Sequence, residues 1–413
     1  MNRVPLKSIV AGLAASVVLT SSAMAGGFNR GSANLDGLFS DSLGVYSGVT
    51  YVAPGRSYSS VSGVRVVGGV AGAFAQGAVE FGDSFVVPYA SFGGEIVDNA
   101  ACVGSYAQPY GADSTYSGAI TYHIAAQSLA TQELGLTCSY RYDLGKGRLS
   151  FIGGVFNERI EYDQARNFTL AFGTVGDSKI NVTSDAWGYR LGMAYEIPEI
   201  ALKASLMYRS QTDHKATGMY TNTPFATLAT AANAVAPGTY SGAELAAYGA
   251  NTTATATTSA SLPQSVELSV QSGIAPGWLA FGSVKWTDWS VLGRIDLVEG
   301  INGRQFSTSR FFFKDGWTVT GGVAHRFNDQ LAASASVTWD RGVSSGWDTL
   351  TDQWTLAGGV AYDVNEKVQL RAGGAAIHFA GGRKSQTSSA VDYTATSPSE
   401  WGYALSASAA IRF

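Results

Sequence analysis

Trp401-Gly402-Tyr403-Ala404-Leu405-Ser406-Ala407-Ser408-Ala409-Ala410-Ile411-Arg412-Phe413 presents two chemically unlike faces in strict alternation. Trp401, Tyr403, Leu405, Ala407, Ala409, Ile411 and Phe413 fall on one face, and Gly402, Ala404, Ser406, Ser408, Ala410 and Arg412 on the other. Period-2 alternation of this kind is the signature of a β-strand with two unlike faces. Working outward, Trp354, Leu356, Gly358, Val360 and Tyr362 alternate with Gln353, Thr355, Ala357, Gly359, Ala361 and Asp363. The same pattern runs through Trp317–Phe327, Leu331–Asp340, Trp187–Tyr195, Ile200–Tyr208 and Leu134–Tyr142. Aromatics sit at the ends of the stripes. Trp354 to Tyr362 covers about 26 Å at ~3.3 Å per residue, close to the ~25 Å apolar band of a tilted transmembrane strand.

Composition points the same way. Aromatic residues make up 12% of the chain and charged residues only 14%, with mean hydropathy near zero. Soluble domains carry roughly a quarter charged residues. No stretch after the amino terminus is apolar enough for a spanning helix, so the apolar residues are dispersed at short period, as a lipid-facing barrel requires. The formal charge is −4, without a basic cluster, which argues against a nucleic-acid partner. At the amino terminus, Arg3 and Lys7 precede an uncharged run from Ser8 to Thr20, followed by Ala23-Met24-Ala25. That order predicts a secretory signal peptide over residues 1–25, its apolar core shorter than the roughly 20 residues of a membrane anchor.

Connections alternate in length. Val97–Asn99, Asp143–Gly147, Glu196–Glu199, Ala275–Gly277, Asn328–Asp329 and Asp363–Glu366 read as tight turns. Long loops are expected near residues 55–80, 110–128, 160–184, 213–262, 290–314, 341–350 and 380–399. Short turns on the periplasmic side and long loops outside characterise bacterial outer-membrane barrels. The predicted fold is an all-β, antiparallel transmembrane barrel of about 14 strands over residues 43–413, following a short segment, 26–42. The fourth loop is Ala- and Thr-rich, and 225–235 and 243–248 read as short helices. Cys102 and Cys138 fall on neighbouring strands at similar height; a cross-strand disulfide and two unpaired small hydrophobes are equal alternatives. The four histidines show no metal or triad spacing, so neither a cofactor nor catalysis is expected.

Four segments resemble the FadL-type outer-membrane transporters of long-chain fatty acids and aromatic hydrocarbons. They are Val87-Pro88-Tyr89 through Gly111, Asp185-Ala186-Trp187-Gly188-Tyr189 to Tyr208-Arg209-Ser210, Leu262-Pro263-Gln264-Ser265 through Trp286-Thr287-Asp288-Trp289, and Asp352-Gln353-Trp354 to Tyr362. The resemblance implies a monomeric barrel plugged by an amino-terminal hatch and a ligand groove between outer loops. It also implies a pocket inside and a sideways exit at a kinked third strand. The family's Asn-Pro-Ala hatch element is missing from Gly26–Ser42, which implies a smaller plug.

Passive uptake of an amphiphile needs an apolar surface, a donor for the head group and something that opens. For the tail the candidates are Phe168, Leu170 and Phe172 in the third long loop, Phe225 and Leu228 in the fourth, and Phe28, Leu35, Leu38 and Phe39 in the hatch. Packing on the rim and filling of the lumen are their structural alternatives. For a carboxylate, inward parity selects Arg209 and Lys285 first, then Arg190, Arg326 and Arg371, because a guanidinium forks onto a carboxylate. Pairing with lumen acids such as Glu133, Glu196 and Glu267 is the competing role. For a gate, Gln108-Pro109-Tyr110-Gly111 ends the third strand where proline removes a ladder donor; an ordinary strand end is the alternative. The expected function is passive uptake of hydrophobic compounds, long-chain fatty acids foremost, from lipopolysaccharide and outer-membrane lipid. A polar-solute porin and a surface adhesin are the rivals.

Overall fold

The computed structural model describes residues 27–67, 70–169, 175–223, 253–299, 305–387 and 391–413, with a few positions between 230 and 242. The expected signal peptide lies outside them.

Fourteen antiparallel strands close a barrel. They are β1 (Gly44–Ala53), β2 (Phe85–Val97), β3 (Ala100–Ala107), β4 (Ala126–Leu144), β5 (Gly147–Thr169), β6 (Val175–Ile197) and β7 (Leu202–Arg209). The chain continues through β8 (Ser265–Ala275), β9 (Trp278–Thr287), β10 (Gly316–Arg326), β11 (Leu331–Asp340), β12 (Gln353–Asp363), β13 (Val368–Phe379) and β14 (Glu400–Arg412). Each strand pairs with the next, and β14 returns to β1 in register from Gly44↔Arg412 to Ala53↔Tyr403. Closure satisfies most of the backbone donors and acceptors that lipid cannot, and it removes the two end edges of the sheet.

The alternation in sequence becomes two surfaces. Leu356, Val360, Leu405 and Ile411 are exposed on the outer wall. Trp339 stands across from Trp354, Trp354 from His378, and His378 from Trp401, forming part of an aromatic belt near the outer rim. Tyr142, Trp278, Phe327 and Tyr362 lie near the short turns at the opposite end.

Five expected loops, those near 55–80, 160–184, 213–262, 290–314 and 380–399, carry extensive strand. β5 and β6 stay paired up to Thr169↔Val175, well through the 160–184 region. Thr212–Asn222 and Thr253–Leu262 form a further hairpin beside them, joined by Arg294–Glu299 and Gln305–Arg310. The reason is local: Ile180 and Val182 are buried at period 2, and β-branched threonines recur through both arms of the hairpin. Of the expected helices, Thr230 and Asn233–Val235 are helical, and 243–248 lie outside the described residues.

A second outer sheet joins Gly382–Thr387, Val391–Ser397, Ser60–Val67 and Val70–Gln76. Beneath it, Lys384 is buried among tyrosines, its ammonium 5.1 Å from the Tyr58 ring centroid. Burial opposes that charge, but Tyr393, Tyr116 and Asp348 hold the lysine above its ordinary pKa. Burial, reinforced by repulsion from Lys384, Arg166 and Arg310, lowers the nearby His123 to about 3.

Candidate functional site: a breach in the wall and the segment that fills it

The third strand is continuous along one edge and interrupted along the other. Toward β4 it pairs from Ala100↔Tyr140 to Ala107↔Glu133, then resumes at Gly111↔Ala130 as far as Thr115↔Ala126. It uses one residue more than β4 across the interruption, and Pro109 there has no N–H to give. Tyr110 still holds β4, its N–H donating to Thr131 Oγ1 at 2.8 Å. Toward β2, the ladder ends at Ala90↔Tyr106. Above that point Phe85–Tyr89 keeps β1 as a neighbour, and the Gly82↔Ser114 bridge, with Thr115 Oγ1 donating to Asp83 at 2.8 Å, closes the top. The wall is therefore breached between Phe85–Tyr89 and Gln108–Asp113.

The amino-terminal segment occupies the breach. Asn29 forms an antiparallel bridge to Tyr110. The Arg30 N–H donates to Pro109 O at 2.8 Å, and the Gly111 N–H to Phe28 O at 2.8 Å. A short substitute strand is thus laid on the orphaned edge. The fit is close: a Cβ on Gly31 would lie 3.2 Å from Val87 Cγ1 and 3.3 Å from Gln108 O. Arg30 is buried, ion-paired to Asp113, with its guanidinium 3.9 Å from the Phe85 ring centroid.

Phe28 sits in an aromatic nest. Its ring centroid lies 5.8 Å from Trp289, 5.7 Å from Phe311 and 5.6 Å from Phe313. Tyr110 closes the side, 5.4 Å from Trp289. The nest continues into buried Ile160, Val182, Leu262, Leu292 and Leu297. Gly27 turns against the Trp289 face at φ 77°, where a Cβ would collide with the indole. Of the other apolar candidates, Leu38 is fully buried against Val103, Ile152 and Ala194, with Leu35 and Phe39 packed beside it. Lys203 places its ammonium 4.2 Å over the Phe39 ring. The side chain of Phe168 and residues Leu170, Phe172, Phe225 and Leu228 lie outside the described residues.

Below the nest lies a buried ionic network. Glu133 receives Arg190 and, at 3.1 Å, Arg209; Arg209 also reaches Glu158 at 2.9 Å. Thr212 donates to Glu158 at 2.6 Å, and His214 Nε2 lies 3.7 Å from it. Two guanidinium groups face two carboxylates, so Arg190 and Arg209 are compensated by protein acids, the competing role weighed for them. Burial makes each member depend on its partners, since an uncompensated buried charge is costly. The remaining cations sit elsewhere. Arg326 pairs with Asp363 at 3.2 Å beside a short turn. Arg371 donates to Gln369 at 2.7 Å and approaches Asp36 at 3.9 Å. Lys285, half-buried, stands across from Glu267 in the β8–β9 register and makes no ion pair among the described residues.

On the inner side of the segment a cavity of about 270 Å³ opens, lined by Asn34, Asp36, Lys203, Glu267, Arg371 and wall hydroxyls including Ser283 and Thr320. Cys102 and Cys138 are bonded, with Cα atoms 4.0 Å apart. They lie on the outward faces of β3 and β4, which staples that seam. No group of acidic, histidine or cysteine side chains among the described residues is arranged to hold a metal. Sequence reasoning missed Trp289, Phe311, Phe313, Glu158, His214 and Asp113. Trp289 lies in a 3-10 turn past the end of β9, where strand parity carries no signal.

A closed 14-strand barrel with a lipid-facing apolar belt and an internally bound amino-terminal segment defines an outer-membrane transport barrel. The family described as outer membrane protein transport protein (OMPP1/FadL/TodX) matches residues 22–379, and the chain belongs to it. It is thus a bacterial outer-membrane protein of a family that transports hydrophobic compounds; the family is one of channels rather than enzymes. Solved structures share its fold. A Pseudomonas aeruginosa FadL homologue is 16% identical over 92% of both chains, with a TM-score of 0.72. The Pseudomonas putida toluene transporter TodX is 13% identical over 95% of this chain and 97% of that one, TM-score 0.60. The Ralstonia pickettii toluene transporter TbuX is 13% identical over 91% of each, TM-score 0.58. No curated protein matches the chain.

Proposed function

We propose that this barrel mediates passive uptake of uncharged, ring-bearing hydrophobic compounds, which displace Phe28 from its nest and leave sideways between β2 and β3. The observation that carries this reading is the breach itself, whose missing ladder is supplied by Phe28–Gly31 rather than by the barrel. Residues 26–42 act as the hatch once the 1–25 leader is removed. The monomer takes cargo from the lipopolysaccharide face and delivers it to the acyl layer. Burial supplies the driving force, at roughly 0.8 kcal/mol per CH₂ removed from water.

Cargo class follows from the charges. A carboxylate reaching the nest meets Arg209 already held by Glu133 and Glu158, and binding it would mean breaking a buried pair. A neutral ring makes no such demand and suits the edge-to-face geometry around Phe28. A long-chain fatty acid is the second reading, favoured by Lys285, the one nominated cation without an ion pair among the described residues.

Radiolabelled toluene and oleate uptake, with and without the protein, tests this in a host lacking comparable transporters. Toluene is expected to enter faster with the protein and oleate little changed. Rapid liposome swelling in sugars with no gain for either probe would establish a polar-solute porin instead.

A further inference from the structure

We propose that Arg30 is the latch of the lateral exit, the side chain that ties the two rims of the breach together and that arriving cargo displaces. The proposal rests on the reading that cargo leaves through this breach. Its own ground is the placement of one buried side chain. The guanidinium of Arg30 lies over Phe85, on the β2 rim, and pairs with Asp113, on the β3 rim. Asp113 is itself held by Ser128 Oγ at 2.5 Å, so the second anchor is fixed to β4. Above the last ladder pair, Arg30 is the side chain of the segment that contacts both rims by charge.

Gly111 makes room for it. A Cβ at that position would lie 2.4 Å from Arg30 Nε and 2.6 Å from Cζ. The glycine is therefore needed less to loosen the strand than to admit the guanidinium.

A small cavity of about 50 Å³ couples the latch to cargo. It is bordered by Phe28, Arg30, Arg56, Phe81, Asp113 and Tyr116. An engineered apolar cavity that takes benzene measures about 150 Å³, so a ring enters only if a neighbour moves. Arg56 is anchored to the outer wall through Glu400 at 3.5 Å and Thr349 O at 3.0 Å. Asp113, Phe81 and Tyr116 belong to or pack on the sheet. Phe28 and Arg30 belong to the segment, which short backbone bonds join to the third strand, and Asp348, Thr349 and Leu350 of an outer loop complete the border. A ring that fills this cavity pushes on the residue closing the exit.

Amide hydrogen exchange of the hatch in detergent micelles reads the latch directly. In Arg30→Ala, exchange across residues 28–31 is expected to accelerate about tenfold, the factor given by 1.4 kcal/mol of lost charge-assisted bonding. Gly111→Ala should match it, because the new methyl group occupies the guanidinium's place. The exchanged pair Arg30→Asp with Asp113→Arg should recover most of the protection. Toluene should accelerate exchange of the same segment in the unaltered protein and add nothing in Arg30→Ala. If Arg30→Ala gives no heat-modifiable barrel, Asp113→Asn, which leaves the packing in place, reads the same quantity. Unchanged exchange in folded Arg30→Ala or Asp113→Asn overturns the latch, as does toluene acceleration that persists without Arg30. Absence of toluene uptake by the unaltered protein would overturn the transport reading alone.

Discussion

Toward β4, the third strand is paired from Ala100 to Ala107, bonded at Cys102–Cys138 and paired again from Gly111; toward β2, pairing stops at Tyr106 and the neighbour above is the amino-terminal segment. Both seams lie in the same membrane and share a strand, yet they are held by different forces. Ladder bonds in lipid are expensive to break because no water replaces them. On the proposed reading, opening falls to the seam that lacks them, where a few backbone bonds and one ion pair hold the amino-terminal segment. In that proposal a barrel gains a door by giving one edge to a piece of chain outside the ladder.

That contrast can be broken at several points. The largest effect is expected at the ionic network that braces β4 behind the breach. Glu133→Ala leaves Arg190 without its carboxylate and Arg209 with one of two, and should cost about 3–5 kcal/mol in urea unfolding from lipid vesicles. A change below about 1 kcal/mol would mean that water, not the network, solvates these cations. Removing the staple with Cys102→Ala and Cys138→Ala should lower stability by about 2–4 kcal/mol. Toluene uptake should stay unchanged, because the β3–β4 ladder still seals that seam; a rise in uptake would show that the disulfide confines the opening. The smallest effect belongs to Arg159→Ala on the outer wall, where the 3.8 Å pair with Asp185 is about half exposed. Less than about 1 kcal/mol is expected in the same unfolding measurement.

Much of the barrel was legible because a spanning strand has no freedom in its period. Trp401–Phe413 and Trp354–Tyr362 display their two faces as plain alternation, and Ala275-Pro276-Gly277 marks a turn by composition. The outer hairpin of Thr212–Asn222 and Thr253–Leu262 was not legible as strand, since alanine, threonine and glycine fit a loop equally well until a neighbouring strand supplies bonds. Parity placed Arg190 and Arg209 in the lumen but could not say which acids meet them. Those partners come from other strands, and Glu158 reaches Arg209 only because β5, β6 and β7 lie side by side. Gln108–Gly111 stood out through its proline. What the sequence could not reveal is that Phe28–Gly31, some eighty residues earlier, completes that edge. Contacts between a strand and a segment without its own ladder leave no periodic trace.

A cross-link between the amino-terminal segment and the β2 rim would hold the proposed exit shut. Gly31→Cys and Val87→Cys, placed where a Cβ would lie 3.2 Å from Val87 Cγ1, are combined with Cys102→Ala and Cys138→Ala. Toluene uptake is measured with the new bond closed and again after reduction. Uptake should fall to the level of cells without the protein and return when the bond is reduced. Undiminished uptake with the bond fully formed would contradict a lateral exit at β2–β3.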